Sequence, residues 1–218
     1  MVKKTMSEND LISRFFTSDI WQLRSLPQIV NIYNPSIGKL NIGKVTGKFN
    51  RRNYAERYKE VLDDKNYQIS FQDESVVSMF YKFSESGEVI GYNLSFIPSV
   101  DIEVIDLTEE SDFFDVGMVD YIRLDFDEQG YEEIIHEIQH VHFGVSFDYL
   151  GYKEEQSRKE KRLPVSEIIY PWDFIYLILK FVYHMDKSYD DIFRKFVVDR
   201  RELIKVENQI LRLCYNFK

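Results

Sequence analysis

The residues best able to do chemistry in this chain are its histidines, three of which lie close together. The chain has four histidines, and three of them stand at positions 136, 140 and 142. Imidazole titrates near neutral pH, so it can transfer protons, and its neutral form is a common ligand of transition metals. This segment therefore predicts either an acid–base site or a metal site.

Two segments around these histidines alternate between polar and apolar residues, as half-buried strands do. Their polar residues are Arg123, Asp125 and Asp127 in the first segment and His140 and His142 in the second. The apolar residues expected to face the core in the second segment are Val141, Phe143, Val145 and Phe147. Side chains two residues apart on a strand lie on the same face. If the two strands pair, imidazole, guanidinium and carboxylate groups gather on one polar surface.

Three interpretations of such a surface remain open. The first is a divalent metal, zinc or manganese, that activates water; its predicted ligands are His136, His140, His142 and Asp127. The second is direct acid–base catalysis on a phosphodiester; its predicted catalytic residues are His140, His142, Asp125 and Arg123, the last holding the phosphate. The third is a solvated, hydrogen-bonded sheet face that carries no reaction.

A fourth interpretation comes from residues His136–His140, which spell H-E-x-x-H. In zinc peptidases this motif places both histidines on one helical face, one turn apart, with the glutamate as general base. Glu137 would be that base here. The motif needs helix through His140, whereas the alternation that begins at His140 favours a strand. The longer H-E-x-x-H-x-x-G pattern is also absent, since position 143 is Phe.

Charge is unevenly distributed along the chain. Residues 38–59 carry seven basic side chains against one acidic, interleaved with aromatic residues, whereas residues 101–120 carry eight acidic side chains and no basic one. Basic residues mixed with aromatic ones suit a phosphate backbone and stacked bases. The predicted nucleic-acid or phosphate contacts are Lys44, Lys48, Arg51 and Arg52, joined by Arg162 further along. A solvated basic surface without a ligand is the plainer alternative.

Bulk composition limits the class of protein. The chain has 218 residues, 44% hydrophobic, with a net charge of −9 and a single cysteine. That length and apolar content predict one domain with a sizeable core. An acidic chain has no bulk attraction to nucleic acid or to an anionic membrane, so nucleic-acid binding needs a local basic patch. A lone cysteine cannot form an internal disulfide, and we find no apolar run long enough to cross a membrane, so we expect a cytoplasmic protein.

The elements that must position these residues predict an α+β fold. We expect a curved antiparallel β-meander flanked by N-terminal helices and two C-terminal helices, the last one long. Its predicted strands include Val89–Ile97 and Asp101–Leu107. The predicted parts of this single domain, 1–218, are helix and loop over 1–65, sheet over 66–147, a charged loop over 148–170 and helices over 171–218. The last helix, predicted for Tyr189–Tyr215, would pack on the sheet, on a protein partner or on a second copy of the chain. A non-catalytic partner-binding protein that uses this helix and the acidic stretch is therefore an alternative to an enzyme.

The motif block as a whole resembles the uncharacterised bacterial family called domain of unknown function 2290. The matching motifs are Tyr121–Asp127, His136, His140–Gly144, Arg162–Pro164 and Pro171. The resemblance implies a bacterial or phage-related cytosolic protein from mobile or defence-associated regions, and it implies no established activity. It singles out Arg123, Asp125, Asp127, His136, His140, His142 and Arg162. In the family a proline commonly follows the first histidine, whereas this chain has Glu137, which suggests that the peptidase motif is accidental.

Overall fold

Seven antiparallel strands form one sheet, and their spatial order follows their order along the chain. The computed structural model describes residues 6–33, 54–99, 121–127, 139–143, 161–165 and 167–196. The strands are β1 Ile29–Ile32, β2 Ile69–Phe71, β3 Val76–Phe83, β4 Val89–Ile97, β5 Ile122–Asp127, β6 Gln139–Phe143 and β7 Lys161–Pro164. The predicted α+β fold with an antiparallel meander is thereby confirmed.

Helices precede, interrupt and follow this sheet. The α-helices are α1 Glu8–Arg14, α2 Tyr54–Asp63, α3 Pro171–Phe181 and α4 Asp190–Arg194. A π-helical turn, Phe15–Asp19, and two 3₁₀ segments, Ile20–Ser25 and Lys187–Tyr189, complete the described elements. None of the described helices combines the length and the apolar character needed to span a bilayer.

Local sequence signals explain where several of these elements begin and turn. The Ser7 side chain accepts a hydrogen bond from the backbone N–H of Asp10, which satisfies one of the free amides at the start of α1. Gly87 has φ +83°, a conformation that glycine adopts without strain, and it turns β3 into β4. Pro171 opens α3, where its missing N–H costs nothing.

One face of the sheet carries the main hydrophobic core. Leu94, Leu124 and Val141, from β4, β5 and β6, are buried in one cluster with residues of the N-terminal helices and of α3. Glu8 links these layers, because its carboxylate accepts hydrogen bonds from the Val89 backbone N–H (2.6 Å) and from the Tyr170 hydroxyl (3.3 Å). The apolar surface buried in this cluster is the main force that holds the helices on the sheet, and the hydrogen bonds of Glu8 add to it.

The opposite face is partly covered by α2. Tyr58 and Val61 of this helix form a second, smaller apolar cluster with Val76, Ile97 and Tyr121. Tyr121 directly precedes β5, so this cluster lies beside the polar positions of that strand. The helix that ends the basic stretch therefore packs on the same face as those polar positions.

Several elements differ from the predictions. β1 falls in a region predicted as helix and loop, and Lys161–Pro164 form strand β7 where a charged loop was predicted. Both are short strands of four residues, and pairing with a neighbouring strand rather than local propensity makes them extended. α4 has five described residues and is followed by a turn at Lys195 and Phe196, and the rest of the predicted long helix lies outside the described residues. The strand predicted at Asp101–Leu107 also lies outside them.

Candidate functional site

The register of three neighbouring strands, β4, β5 and β6, brings the polar residues into two rows across the sheet. In the first row Asn93 of β4 lies opposite Asp125 of β5, which lies opposite His140 of β6. In the second row Ser95 lies opposite Arg123, which lies opposite His142. Residues directly opposite one another in adjacent strands share a face. We call these six residues, Asn93, Ser95, Arg123, Asp125, His140 and His142, the polar site.

A guanidinium, a carboxylate and an imidazole meet at the centre of the polar site. Arg123 Nε donates to Asp125 Oδ2 at 2.8 Å, and a second guanidinium nitrogen of Arg123 lies 3.1 Å from His142 Nε2. His142 Nε2 lies 3.3 Å from the same Asp125 oxygen. Three side chains therefore meet at two atoms, Asp125 Oδ2 and His142 Nε2, which fixes them relative to one another.

The other oxygen of Asp125 is held from β4. Asn93 Nδ2 donates to Asp125 Oδ1 at 2.5 Å, and Ser95 Oγ donates to Asn93 Oδ1 at 3.2 Å. Because Asn93 uses Oδ1, the oxygen that faces Arg123 and His142 is Oδ2. This chain of hydrogen bonds orients the carboxylate before any ligand arrives.

Burial and charge act in opposite directions on Asp125. Burial is the largest effect on the pKa of Asp125 and raises it, but the hydrogen bond with His142, the charge of Arg123 and the electrostatic effects of His142 and His140 outweigh it. The net result lowers the pKa of Asp125 from 3.8 to about 2. Asp125 is therefore a carboxylate at any physiological pH, ready to accept hydrogen bonds or to bind a cation.

The two histidines lie side by side in the interior. His140 is 2% exposed and His142 is 1% exposed, and their ring centroids are 4.6 Å apart in an edge-to-face arrangement. One ligand atom from each of Asp125, His140 and His142 lies within 4.8 Å of the others. Two imidazoles and one carboxylate are donors that suit divalent transition metals. Among the described residues, this is the group that could hold such an ion.

Tyr121 connects the polar site with the cluster under α2. Burial raises the pKa of Tyr121, while the charge of Arg123 and hydrogen bonds with Ser95 and Arg123 oppose that rise. The tyrosine hydroxyl therefore belongs to the same polar network, and its ring belongs to the apolar cluster. Tyr121 therefore links the packing of α2 to the position of Arg123.

The predicted catalytic residues are brought together, while other predicted site residues are not described. Arg123, Asp125, His140 and His142 all join the polar site. Asp127 lies on β5 opposite Gly91, and Arg162 lies on β7 at the register position opposite His142; nothing is described of either side chain. The predicted residues that lie outside the described residues are His136, Lys44, Lys48, Arg51 and Arg52. Their roles stay predictions.

Two expectations are corrected by strand β6. His140 lies in a strand and opposite Asp125, so it cannot share a helical face with His136, and the peptidase interpretation of H-E-x-x-H is wrong. Phe143, expected to face the core, is 43% exposed because β6 ends there. At His140 the structure agrees with the alternation that favoured a strand, whereas at Phe143 the position at the end of the strand decides the environment.

Sequence reasoning missed Asn93 and Ser95. Both stand in a segment that was predicted as a strand, at alternate positions between Tyr92, Leu94 and Phe96. That alternation marked a polar face on β4 as clearly as on β5. What was missing was the knowledge that β4 and β5 are neighbours, since residues 98–121 separate them in the chain.

Comparison with known proteins identifies one family whose sequence profile the chain matches. No curated protein and no solved structure matches the chain. Residues 34–214 match the sequence profile of a family described as "Uncharacterized conserved protein (DUF2290)". The match spans β2 to α4, and it includes all six residues of the polar site. The chain therefore belongs to the DUF2290 family.

Proposed function

We propose that this protein is a metal-dependent phosphodiesterase of nuclease type, with its reaction centre at the polar site. The observation that carries the proposal is the convergence of Asp125, His140 and His142, with ligand atoms within 4.8 Å of one another, beside the guanidinium of Arg123. A carboxylate and two imidazoles can hold a metal ion, and a guanidinium can bind a phosphate, so together they suit a metal-assisted attack on a phosphate ester.

The geometry supports a metal ion held by Asp125, His140 and His142. His142 Nε2 and Asp125 Oδ2 are 3.3 Å apart. Two ligands that each lie about 2.1 Å from a tetrahedral zinc ion are separated by about 3.4 Å. Three protein ligands leave a coordination position for water or substrate, as in catalytic sites. A bound divalent ion would lower the pKa of that water and so supply the nucleophile.

Arg123 favours phosphate as the substrate group. Its side chain is 13% exposed, so its charge is little screened by water. A guanidinium offers paired N–H donors whose geometry matches two phosphate oxygens. Arg123 would therefore bind the phosphate and stabilise the negative charge that develops on it during attack. Asn93 and Ser95 would hold Asp125 in place throughout.

The position of α2 favours a polymeric substrate. This helix carries the end of the basic stretch, and it packs beside Tyr121 on the face that holds the polar site. Lys59 is exposed on it, while Arg57 is paired with Glu60 at 2.6 Å. The stretch over 39–59 would hold the backbone of a nucleic acid and deliver one phosphodiester to Arg123.

The test is hydrolysis of labelled single-stranded and double-stranded DNA and RNA by purified protein after chelation and after reloading with Mn²⁺ or Zn²⁺. We expect metal-dependent cleavage that falls at least about 100-fold in the double variant His140→Ala/His142→Ala, because two of three ligands are lost. His184→Asn is the matched control: this histidine is exposed, lies outside the site and has φ +50°, which asparagine tolerates.

Thermal unfolding of each variant checks that the fold survives. Cleavage that persists in the chelated double variant would contradict the proposal, and so would a metal-loaded wild type that cleaves none of the four substrates.

A further inference from the structure

We infer that Arg123 competes with the metal for the polar site, so that a divalent cation binds tightly only when a phosphodiester draws the guanidinium away. Metal and phosphodiester would then bind cooperatively, and the site would load its metal together with its substrate. This inference rests on the metal site of the proposed function and adds a mode of regulation to it.

The first step of the argument is that Arg123 occupies the atoms that a metal would use. Its Nε lies 2.8 Å from Asp125 Oδ2, and its terminal nitrogen lies 3.1 Å from His142 Nε2. These two atoms, Asp125 Oδ2 and His142 Nε2, are 3.3 Å apart, a spacing that suits a metal. The guanidinium is hydrogen-bonded to both of them.

The second step is that the nitrogen of His142 cannot serve both partners. An imidazole nitrogen without a proton has one lone pair, which either accepts a hydrogen bond or binds a metal. If Nε2 instead carries a proton, it donates to Asp125 and again has no lone pair for a metal. Either placement of the proton leaves Nε2 engaged, so a metal that binds at Nε2, the nitrogen 3.3 Å from Asp125 Oδ2, must displace Arg123 or that proton.

The third step is that Asp125 presents Oδ2, rather than Oδ1, to His142 Nε2. Asn93 donates to Oδ1 at 2.5 Å, and Ser95 holds Asn93 in that orientation. A metal would therefore approach Oδ2, where Arg123 is bound. Because Asn93 and Ser95 hold the carboxylate in this orientation, the guanidinium and the metal compete for the same oxygen atom.

The fourth step is charge. Arg123 and Asp125 cancel one another, and histidines that bind a metal are neutral. A divalent ion would therefore place a net positive charge beside two imidazoles that are 2% and 1% exposed. A phosphodiester carries one negative charge and offers oxygens that both the guanidinium and the metal can bind. It would relieve the repulsion and give Arg123 a new partner.

Calorimetric titration of chelator-treated full-length protein with MnCl₂, with and without saturating dimethyl phosphate, tests the inference. We expect the Kd for Mn²⁺ to fall at least about tenfold when the diester is present, within the range of ordinary coupling between two sites. The reverse titration should show the same factor, because coupling between two binding equilibria is reciprocal.

Arg123→Gln removes the competitor and its charge. This variant should bind Mn²⁺ more tightly than wild type without diester, and the diester should no longer change its Kd. Arg194→Gln is the matched control, since Arg194 is an exposed residue paired with Asp191 on α4, and it should keep the wild-type dependence.

The outcomes separate the inference from the proposed function. A wild-type Kd for Mn²⁺ that is equal with and without diester overturns the inference and leaves the metal site standing, and this measurement decides even if Arg123→Gln does not fold. A variant that folds but binds Mn²⁺ no more tightly than wild type also overturns it. No Mn²⁺ binding by wild type under either condition overturns the metal site itself.

Discussion

The two faces of the central sheet are both buried near strands β4, β5 and β6, but they are stabilised by different physics. Leu94, Leu124 and Val141 fill the main core with apolar surface. On the other face Ser95, His140 and His142 are 0–2% exposed, and their burial has to be offset by specific hydrogen bonds. Apolar packing tolerates substitution by residues of similar volume. A buried polar network does not, which is why the second face is where we look for function.

The two faces should differ most in the free energy of unfolding that is lost when neighbouring residues of β5 are changed. Leu124→Ala removes a residue that is 2% exposed in the main core, and it should lower the free energy of unfolding by about 2–5 kcal/mol. Asp125→Asn keeps the shape but removes the charge that faces Arg123, and it should cost about 1–3 kcal/mol. Urea unfolding measures both values.

Metal binding should rank these two variants in the opposite order. Folded Leu124→Ala should bind Mn²⁺ as wild type does, because no ligand is touched, whereas Asp125→Asn should not bind it measurably. If Asp125→Asn retained wild-type affinity for Mn²⁺, the polar face would be no more than a second, polar core.

A smaller effect on stability and on metal affinity is expected at Asn93, which orients Asp125 from β4. Asn93→Ala removes the hydrogen bond to Asp125 Oδ1, so it should lower the free energy of unfolding by about 0.5–1.5 kcal/mol. Mn²⁺ affinity should fall by about tenfold, since residues that orient a ligand commonly change metal affinity to that extent. Asn31→Ala, at an exposed position of edge strand β1, is the control and should change neither value. An unchanged Mn²⁺ affinity in Asn93→Ala would mean that β4 does not position the carboxylate.

The smallest effect on stability is expected in the apolar cluster under α2, at Tyr58. Burial first, and then the charges of Glu74 and Asp73, raise the pKa of Tyr58 from 10.0 to about 12. A raised pKa means that the fold favours neutral Tyr58, so this contribution to stability is complete below pH 10 and is lost as the pH rises towards 12. Tyr58→Phe also loses the hydrogen bond to the Glu74 carbonyl (2.8 Å), which costs about 0.5–1.5 kcal/mol at neutral pH.

The difference in stability between wild type and Tyr58→Phe should therefore shrink between pH 8 and about pH 11, as followed by urea unfolding at each pH. A difference that stays constant over this range would show that Tyr58 ionises as readily in the folded chain as in the unfolded one. The anchoring of α2 beside the polar site would then not depend on that hydroxyl.

Period-two alternation predicted much of the sheet and four of the six residues of the polar site. The range 89–97 was predicted as a strand and is β4, and Arg123 and Asp125 were placed on one face because side chains alternate along any extended backbone. β1 and β7 escaped prediction because neither Ile29–Ile32 nor Lys161–Pro164 alternates between apolar and polar residues. Asn93 escaped because alternation shows which residues share a face of one strand, without showing which strand lies beside it.

The sequence by itself determined the fold class, the positions of most strands and the side chains that point away from the core, since these follow from local backbone geometry and hydrophobic patterning. Only the tertiary structure decided that β4 lies next to β5 and β5 next to β6, in the register that sets Asn93, Asp125 and His140 in one row. It also decided between the two patterns that include His140, in favour of the alternation and against the helical motif. Strand pairing joins segments that are distant in the chain, so its register depends on the packing of the whole sheet rather than on any local pattern.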